Sequence, residues 1–337
     1  MILDIDEKNE GGRLDKYLKK HLREASDGFI YKMLRKKNII LNGKRASGNE
    51  VLKAGDEIRL YFSDETYKKF RGREVTEESG DLGDSGLHNI DGLIVYEDEN
   101  ILLLNKPPGM LSQRDGGSRS SANEYIAEYL SGKEEGETSG FKPSVCNRLD
   151  RNTSGLLIFA KNYASAREIS ESLRERTIKK YYLAIVCGMP VPGRRTGYLT
   201  KDHKSNRVRV CELPSAGASF IETDYRIIKP AGALTLIRAE LLTGKSHQIR
   251  AQLSSMGFPI AGDPKYGDKR VNEELGRRFG VRSQLLHAYE LVLPEFKGIL
   301  KGISGKSFKA PLPGEFEKVM RGVDGNLEFK GTQGLYS

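Results

Sequence analysis

The sequence predicts an α+β protein of two unequal bodies, and three observations predict it. After residue 90, strand-sized apolar runs cluster with short helical patterns between them and without regular βαβ alternation. Residues 1–62 carry a compact helix, helix and small-sheet pattern of their own. Between the two, in residues 63–89, apolar residues are sparse, and Glu74, Glu77, Glu78, Asp81 and Asp84 mix with Gly72, Gly80, Gly83 and Gly86, the composition of a flexible linker. A chain of 337 residues is also too long for one average domain.

In the first body, Leu14, Tyr17, Leu18 and Leu22 recur at helical spacing after Gly11-Gly12. Ser26 is placed to cap a second helix, with Ile30, Met33 and Leu34 on one face. Lys32, Arg35 and Lys36 fall roughly opposite, so its outer face is basic. Asn42-Gly43 after Ile39-Ile40-Leu41 signals a hairpin, and residues 58–62 alternate as a strand.

In the main body, residues 90–320, strands are expected at 93–96, 101–104, 155–161, 180–187, 219–228, 234–241 and 285–293. Lys106-Pro107-Pro108-Gly109 closes the second of these. A helix is expected over 121–130, and Asn162 caps another with Ala166, Ile169 and Leu173 inward and Arg167 paired with Glu171 outside. A further helix should run from 246 to 256 until Gly257 stops it, and a short one should follow Pro313. Residues 321–337 read as a fraying tail.

Composition narrows the functional classes. No apolar run has membrane-spanning length, and the acidic N-terminus lacks a signal-peptide pattern, so a cytoplasmic protein without membrane association is expected. Cys146, Cys187 and Cys211 are odd in number with no C-x-x-C spacing, and the five histidines are scattered; no disulfide framework, metal site or cofactor is expected. The net charge of +9 suits a polyanionic partner such as nucleic acid.

The most informative stretch is Asn147-Arg148-Leu149-Asp150-Arg151-Asn152-Thr153-Ser154-Gly155, directly before an apolar strand. Arginine on either side of Asp150 favours its charged form, and a positioned carboxylate can act as nucleophile or base. Taken alone, the same residues also describe a surface turn satisfied by local hydrogen bonds, and short motifs match that easily.

Arg-Leu-Asp-x-x-Thr-Ser-Gly followed by an apolar strand resembles the catalytic signature of RluA/RluD-type, RluC-like pseudouridine synthases. Three further segments resemble that family in the same order. They are Asn105-Lys106-Pro107-Pro108-Gly109, then Lys180-Tyr181-Tyr182-Leu183-Ala184-Ile185-Val186-Cys187-Gly188, then Gly244-Lys245-Ser246-His247-Gln248-Ile249-Arg250 with Gly257-Phe258-Pro259-Ile260-Ala261-Gly262-Asp263. The resemblance covers residues 93–293. Residues 13–62 are similar to the S4 RNA-binding domain, through apolar and basic positions alone. Two positions depart from the family pattern: Asn147 where many members have His, and Lys245 where they have Arg.

The resemblance implies the pseudouridine synthase fold, a mixed and largely antiparallel sheet, and isomerisation of uridine in structured RNA without a cofactor. It implies 23S rRNA as first substrate and tRNA as second; a monomer is expected. Asp150 would be nucleophile or base, at C1′, at C6 or at the 2′ position; Arg250 would orient it, and Tyr182 would stack on the flipped uracil. Arg148 would fill the space the base leaves, while Arg151, Lys32, Arg35 and Lys36 would meet phosphates. His247 and Gln248 read as supports of the local fold, and Asp263 as a turn residue. Two other classes stay open at this stage: a non-catalytic RNA binder, and a glycosidase, which needs a second carboxylate such as Asp263.

Overall fold

The computed structural model describes residues 1–71, 90–114, 121–131, 141–202 and 207–324. In the N-terminal module, β1 (Ile2–Asp4) precedes α1 (Leu14–His21), α2 (Asp27–Arg35), β2 (Ile39–Leu41), β3 (Lys44–Arg45), β4 (Glu57–Leu60) and α3 (Asp64–Arg71). Its sheet is antiparallel in the order β1-β4-β2-β3. The amphipathic spacing of α1 and α2 explains their docking: Leu14, Tyr17 and Leu18 from one, and Ile30, Met33 and Leu34 from the other, meet in one core. Ser26 Oγ accepts the Phe29 N–H at 3.2 Å, which starts α2 where the sequence places it. Asn42 and Gly43 have φ of 51° and 72°, the left-handed pair a two-residue hairpin between β2 and β3 requires.

The third helix corrects the expected boundary, because α3 occupies residues read as linker. Only Tyr67 and Phe70 interrupt its polar run, yet both pack on the module's core, Phe70 at 4.2 Å between ring centroids from Phe29. Residues 72–89, the rest of that linker, lie outside the described residues.

The main body contains β5 (Ile94–Glu97), β6 (Ile101–Lys106), α4 (Ala122–Ser131), β7 (Ser144–Val145), β8 (Ser154–Ala160), α5 (Tyr163–Arg174), β9 (Lys179–Cys187), β10 (Gly193–Asp202), β11 (Arg207–Cys211), β12 (Ser219–Ala231) and β13 (Leu234–Leu241). After these come α6 (Gln248–Ser255), α7 (Lys269–Phe279), β14 (Leu286–Val292), β15 (Ser307–Lys309) and α8 (Gly314–Asp324). Among the described residues the sheet runs β11-β10-β12-β13-β9-β14-β8-β6-β5, with β15 on β14 and β7 on β8. Every pairing is antiparallel except β14 with β8, so the expected α+β class and the largely antiparallel sheet both hold.

The centre of the sheet is covered on both faces. Leu156 and Ile158 of β8 join Ile169 of α5 on one side, while Leu157 and Phe159 join Ile126 of α4 on the other. That explains why β8 reads as an unbroken apolar run and not an alternating one. Gly155 has φ of 111°, and a Cβ there would strike the Ala288 backbone, so glycine lets β14 lie against the start of β8.

Several details differ from the sequence reading. In α5, Ile169 and Leu173 pack inward as expected, but Ala164, Ser165 and Ser172 complete the buried face and Ala166 does not. Glu171 pairs with Arg174 at 3.2 Å, and Arg167 turns to Glu10 of the N-terminal module at 3.6 Å. The hairpin of β10 and β11 and the helix α7 were not expected. In β10 only Gly197 and Leu199 are buried, and in α7 only Val271 and Leu275, too few for a clear period. The last helix, α8, runs to Asp324, into the residues expected to fray; residues 325–337 are outside those described. Among the described residues, no helix is long and apolar enough to cross a membrane.

Candidate active site

The site is built around Arg250. Gln248, the first residue of α6, ties the helix start to the sheet: its Oε1 accepts from Thr243 Oγ1 at 2.9 Å and Lys245 N at 3.1 Å. Its Nε2 donates to Glu222 O at 3.1 Å and Thr223 Oγ1 at 3.0 Å. Two residues on, Arg250 is buried and faces two carboxylates. Its Nε and Nη2 donate to Asp263 Oδ2 and Oδ1 at 2.7 and 3.0 Å, and its Nη1 donates to Asp150 Oδ2 at 2.7 Å. The planar fork of guanidinium fits this two-sided contact, which ammonium could not make. Burial opposes the charge of Arg250, but the Asp263 hydrogen bond and the charges of Asp263 and Asp150 outweigh it and raise the guanidinium above its ordinary range. Burial likewise opposes the Asp263 charge, yet the bonds from Arg250 keep that carboxyl below its usual range.

Asp150 sits in a turn between β7 and β8 that is fastened at three points. Ser112 Oγ accepts from Leu149 N and donates to Leu149 O, each at 3.0 Å. Arg151 O accepts from Lys106 Nζ at 2.9 Å and from Gly109 N at 3.0 Å, and Arg151 Nε returns a bond to Gly109 O at 3.0 Å. Gln284 Nε2 donates to Thr153 Oγ1 at 3.2 Å, and Thr153 N closes the turn on Asp150 O at 3.0 Å. Lys106 is completely buried and donates also to Pro107 O at 3.1 Å and Met110 O at 3.0 Å. Burial pushes its ammonium down to about 7, with the Asp150 charge pulling the other way.

Tyr182 lies on β9 with Ala239 and Ala288 as its partners on the two neighbouring strands, so small side chains flank its ring. Burial, then the Asp150 charge, raises its phenol far above the ordinary tyrosine range, and it stays protonated. His247, at φ 56°, places Nε2 at 3.8 Å from Asp150 Oδ2 and joins Nδ1 to Tyr266 OH at 2.9 Å. Burial lowers the imidazole, against the opposing pull of Asp150. The Asp150 side chain is 24% exposed, while Arg250 is 7% and Asp263 0%. Asp150 Oδ2 is held from inside, and Oδ1 carries no hydrogen bond among the described residues. The arrangement can offer one oriented carboxylate oxygen to a substrate beside an aromatic ring.

The structure therefore brings together Asp150, Tyr182 and Arg250 from three separate motifs. Arg148 and Arg151 are exposed in the Asp150 turn, Arg151 with its Nε on Gly109. Lys32 and Arg35 are exposed on α2 and Lys36 directly after it, in the other module. Sequence reasoning missed three contributors. Lys106 stood in a recognised motif without a role, His247 was read as a support although it faces Asp150, and Ser112 has no motif at all. Asp263 is enclosed and fully engaged with Arg250, so it is not a second carboxylate free to flank a glycosidic bond. Asn147, one of the two departures, ties β8 by donating to Leu156 O at 3.2 Å and accepting Ile158 N at 2.7 Å.

Residues 100–255 match the family model described as RNA pseudouridylate synthase. The ribosomal large subunit pseudouridine synthase C of Vibrio cholerae is 33% identical over 295 residues, 85% of this chain and 86% of that protein. The protein of the same name from Vibrio parahaemolyticus is 30% identical over 334 residues, 96% of each chain. The solved structure of human RNA pseudouridylate synthase domain containing 4 has the same fold, with a TM-score of 0.57 at 21% identity over 69% of this chain and 93% of that one. With relatives of this identity matched along nearly its whole length, the chain belongs to the RNA pseudouridylate synthase family of isomerases.

Proposed function

We propose that this protein converts uridine to pseudouridine in large-subunit ribosomal RNA, with Asp150 as the nucleophile or base. The observation that carries the assignment is the 2.7 Å bond from buried Arg250 to Asp150, which fixes one oxygen of a part-exposed carboxylate and leaves the other without a hydrogen bond among the described residues. The reaction breaks the N1–C1′ bond, turns the uracil and joins C5 to C1′; the C5 hydrogen leaves as a proton and N1 regains one. Nothing is oxidised or reduced. Asp150 acts at C1′, C6 or the 2′ position, and the Tyr182 ring stacks on the uracil, its hydroxyl within the chemistry's reach. Arg148 occupies the gap left by the extruded base, whose unstacking costs a few kcal/mol that RNA contacts offset. His247, 3.8 Å from Asp150, supports its orientation.

Ribosomal RNA is the substrate because the relatives matched over most of this chain are named for the ribosomal large subunit. The N-terminal module, S4-like in its apolar and basic pattern, contributes Lys32, Arg35 and Lys36 as phosphate contacts, and Arg151 adds another. One chain carries the complete set, so a monomer suffices, and three free thiols suit the reducing cytoplasm where ribosomes are assembled.

Tritium release from 5-³H-uridine-labelled 23S rRNA tests the proposal. Wild type should release tritium and Asp150→Asn should not, while binding RNA about equally well. Wild-type release from Asp150→Asn would remove that residue from the chemistry. Release from tRNA but not rRNA would move the substrate, and release from neither would leave a non-catalytic RNA binder.

A further inference from the structure

A cleft of about 460 Å³ opens beside the Asp150 turn, lined among others by Gly109, Asn152, Arg282, Gln284, Glu315 and Phe316. None of its lining residues is Asp150, Tyr182 or Arg250. It is nevertheless adjoining space: Asn152 follows Asp150 by two residues, at most about 7 Å of extended chain. A volume in this range accommodates a nucleotide-sized group.

Beside Asn152, Ser154 and Ser283, three polar side chains of the cleft bear on a ligand. Arg282 is exposed and forms no ion pair among the described residues, which leaves its guanidinium available to a phosphate. The other two are acceptors. Glu315, at the start of α8, carries no ion pair among the described residues. Gln284 is 4% exposed and donates through Nε2 to Thr153, but its Oε1 is buried without any hydrogen-bond partner. An orphaned buried amide oxygen is unfavourable and unusual, and a donor entering the cleft that Gln284 lines would satisfy it.

We propose that this cleft is a subsite for a nucleotide next to the target uridine, one whose base presents N–H donors, guanine above all. The inference rests on the RNA-isomerising function proposed above. Guanine suits the two acceptors because N1–H and the N2 amino group lie side by side on one edge, while Arg282 takes the phosphate. Gln284 then does two things: it reads the neighbouring base, and through Thr153 it supports the turn that presents Asp150. Selection of the flanking nucleotide and alignment of the carboxylate meet in one side chain.

The test uses the full-length protein and a stem–loop transcribed around the uridine that wild type modifies in large-subunit rRNA. Each neighbour of that uridine is set in turn to G, A, C or U, and single-turnover rates are compared. Wild type should favour guanine at one neighbouring position by about tenfold, the discrimination a good paired contact gives. Glu315→Gln and Gln284→Met should bring that ratio close to one. Gln284→Met should also slow all four substrates alike, because Thr153 loses its donor. Arg282→Gln should raise KM for all four alike and leave the ratio unchanged. A wild-type ratio of one at both neighbours, or a preference that survives in both Glu315→Gln and Gln284→Met, overturns the subsite. Wild-type failure to modify any rRNA uridine is a different result, which defeats the parent function and this inference with it.

Discussion

Asp263 grips Arg250 with both carboxylate oxygens, at 2.7 and 3.0 Å, on the side of the guanidinium not occupied by Asp150. The grip is itself anchored, because Asp263 Oδ1 accepts the N–H groups of Lys265 at 2.8 Å and Tyr266 at 3.0 Å. Arg250 can thus be aimed at Asp150 without being neutralised by it. Asp263→Asn leaves a buried guanidinium with half its compensation, a change that costs about 3–5 kcal/mol when one partner of a buried pair is removed. The expected outcome is a lower urea midpoint together with a fall in kcat. A variant as stable and as active as wild type would show that Arg250 does not depend on this support.

Ser112 fastens both backbone polar groups of Leu149, the residue before Asp150, with a single hydroxyl. Ser112→Ala should cost about 1–3 kcal/mol, the range for leaving buried polar groups unpaired. It should lower kcat more than it raises KM, because displacement of a reacting group by about 1 Å can slow a reaction roughly a hundredfold. Ser112→Thr retains the hydroxyl and should restore kcat. If KM alone changes, or threonine fails to rescue a folded variant, the hydroxyl does not position Asp150.

Lys106 yields a prediction in pH. The unfolded chain keeps this ammonium protonated up to about 10.4, whereas in the folded protein burial brings it down to about 7. Across that window the unfolded state binds more protons, so Lys106 makes stability rise as pH increases from about 7 toward 10. Lys106→Met removes the titration and leaves the carbonyls of Pro107, Met110 and Arg151 without their donor. The variant should be less stable throughout, and the gap in unfolding free energy from wild type should widen as pH rises from about 7 to about 9. Urea titrations at the two pH values measure it; a constant gap would mean that Lys106 does not titrate in this range.

These residues also show what the sequence discloses and where it stops. The period of two in β13 and the apolar run of β8 announce their strands because burial imposes the pattern directly. Asp150, Tyr182 and Arg250 were legible through motifs on three different elements, although nothing local reveals that they meet. What stayed hidden has a physical reason in each case. Two aromatic rings were enough to dock α3, and in β10 alternating burial involves a glycine, which weakens any hydrophobic period. Ser112 and Gln284 act across 37 and 131 residues of sequence, and such contacts leave no spacing to read. His247 was assigned to fold support because its αL backbone, which turns it toward Asp150, is invisible before folding.

The basic face of α2 can be tested apart from the Asp150 turn. Lys32, Arg35 and Lys36 are exposed, while Ile30, Met33 and Leu34 of the same helix hold the module together, so replacing all three cations by alanine should leave the fold intact. Each phosphate contact on duplex RNA contributes a slope of about −0.9 to log K against log salt, by analogy with the duplex DNA value. The triple variant should therefore bind rRNA more weakly at low salt and show a slope shallower by roughly 2–3. Single-turnover rates at saturating RNA should stay near wild type, since Asp150, Tyr182 and Arg250 belong to the other body. Filter binding across a salt series, paired with tritium release, separates the two effects. An unchanged slope would take α2 off the RNA surface, whereas loss of rate at saturation would mean that this helix also aligns the target uridine.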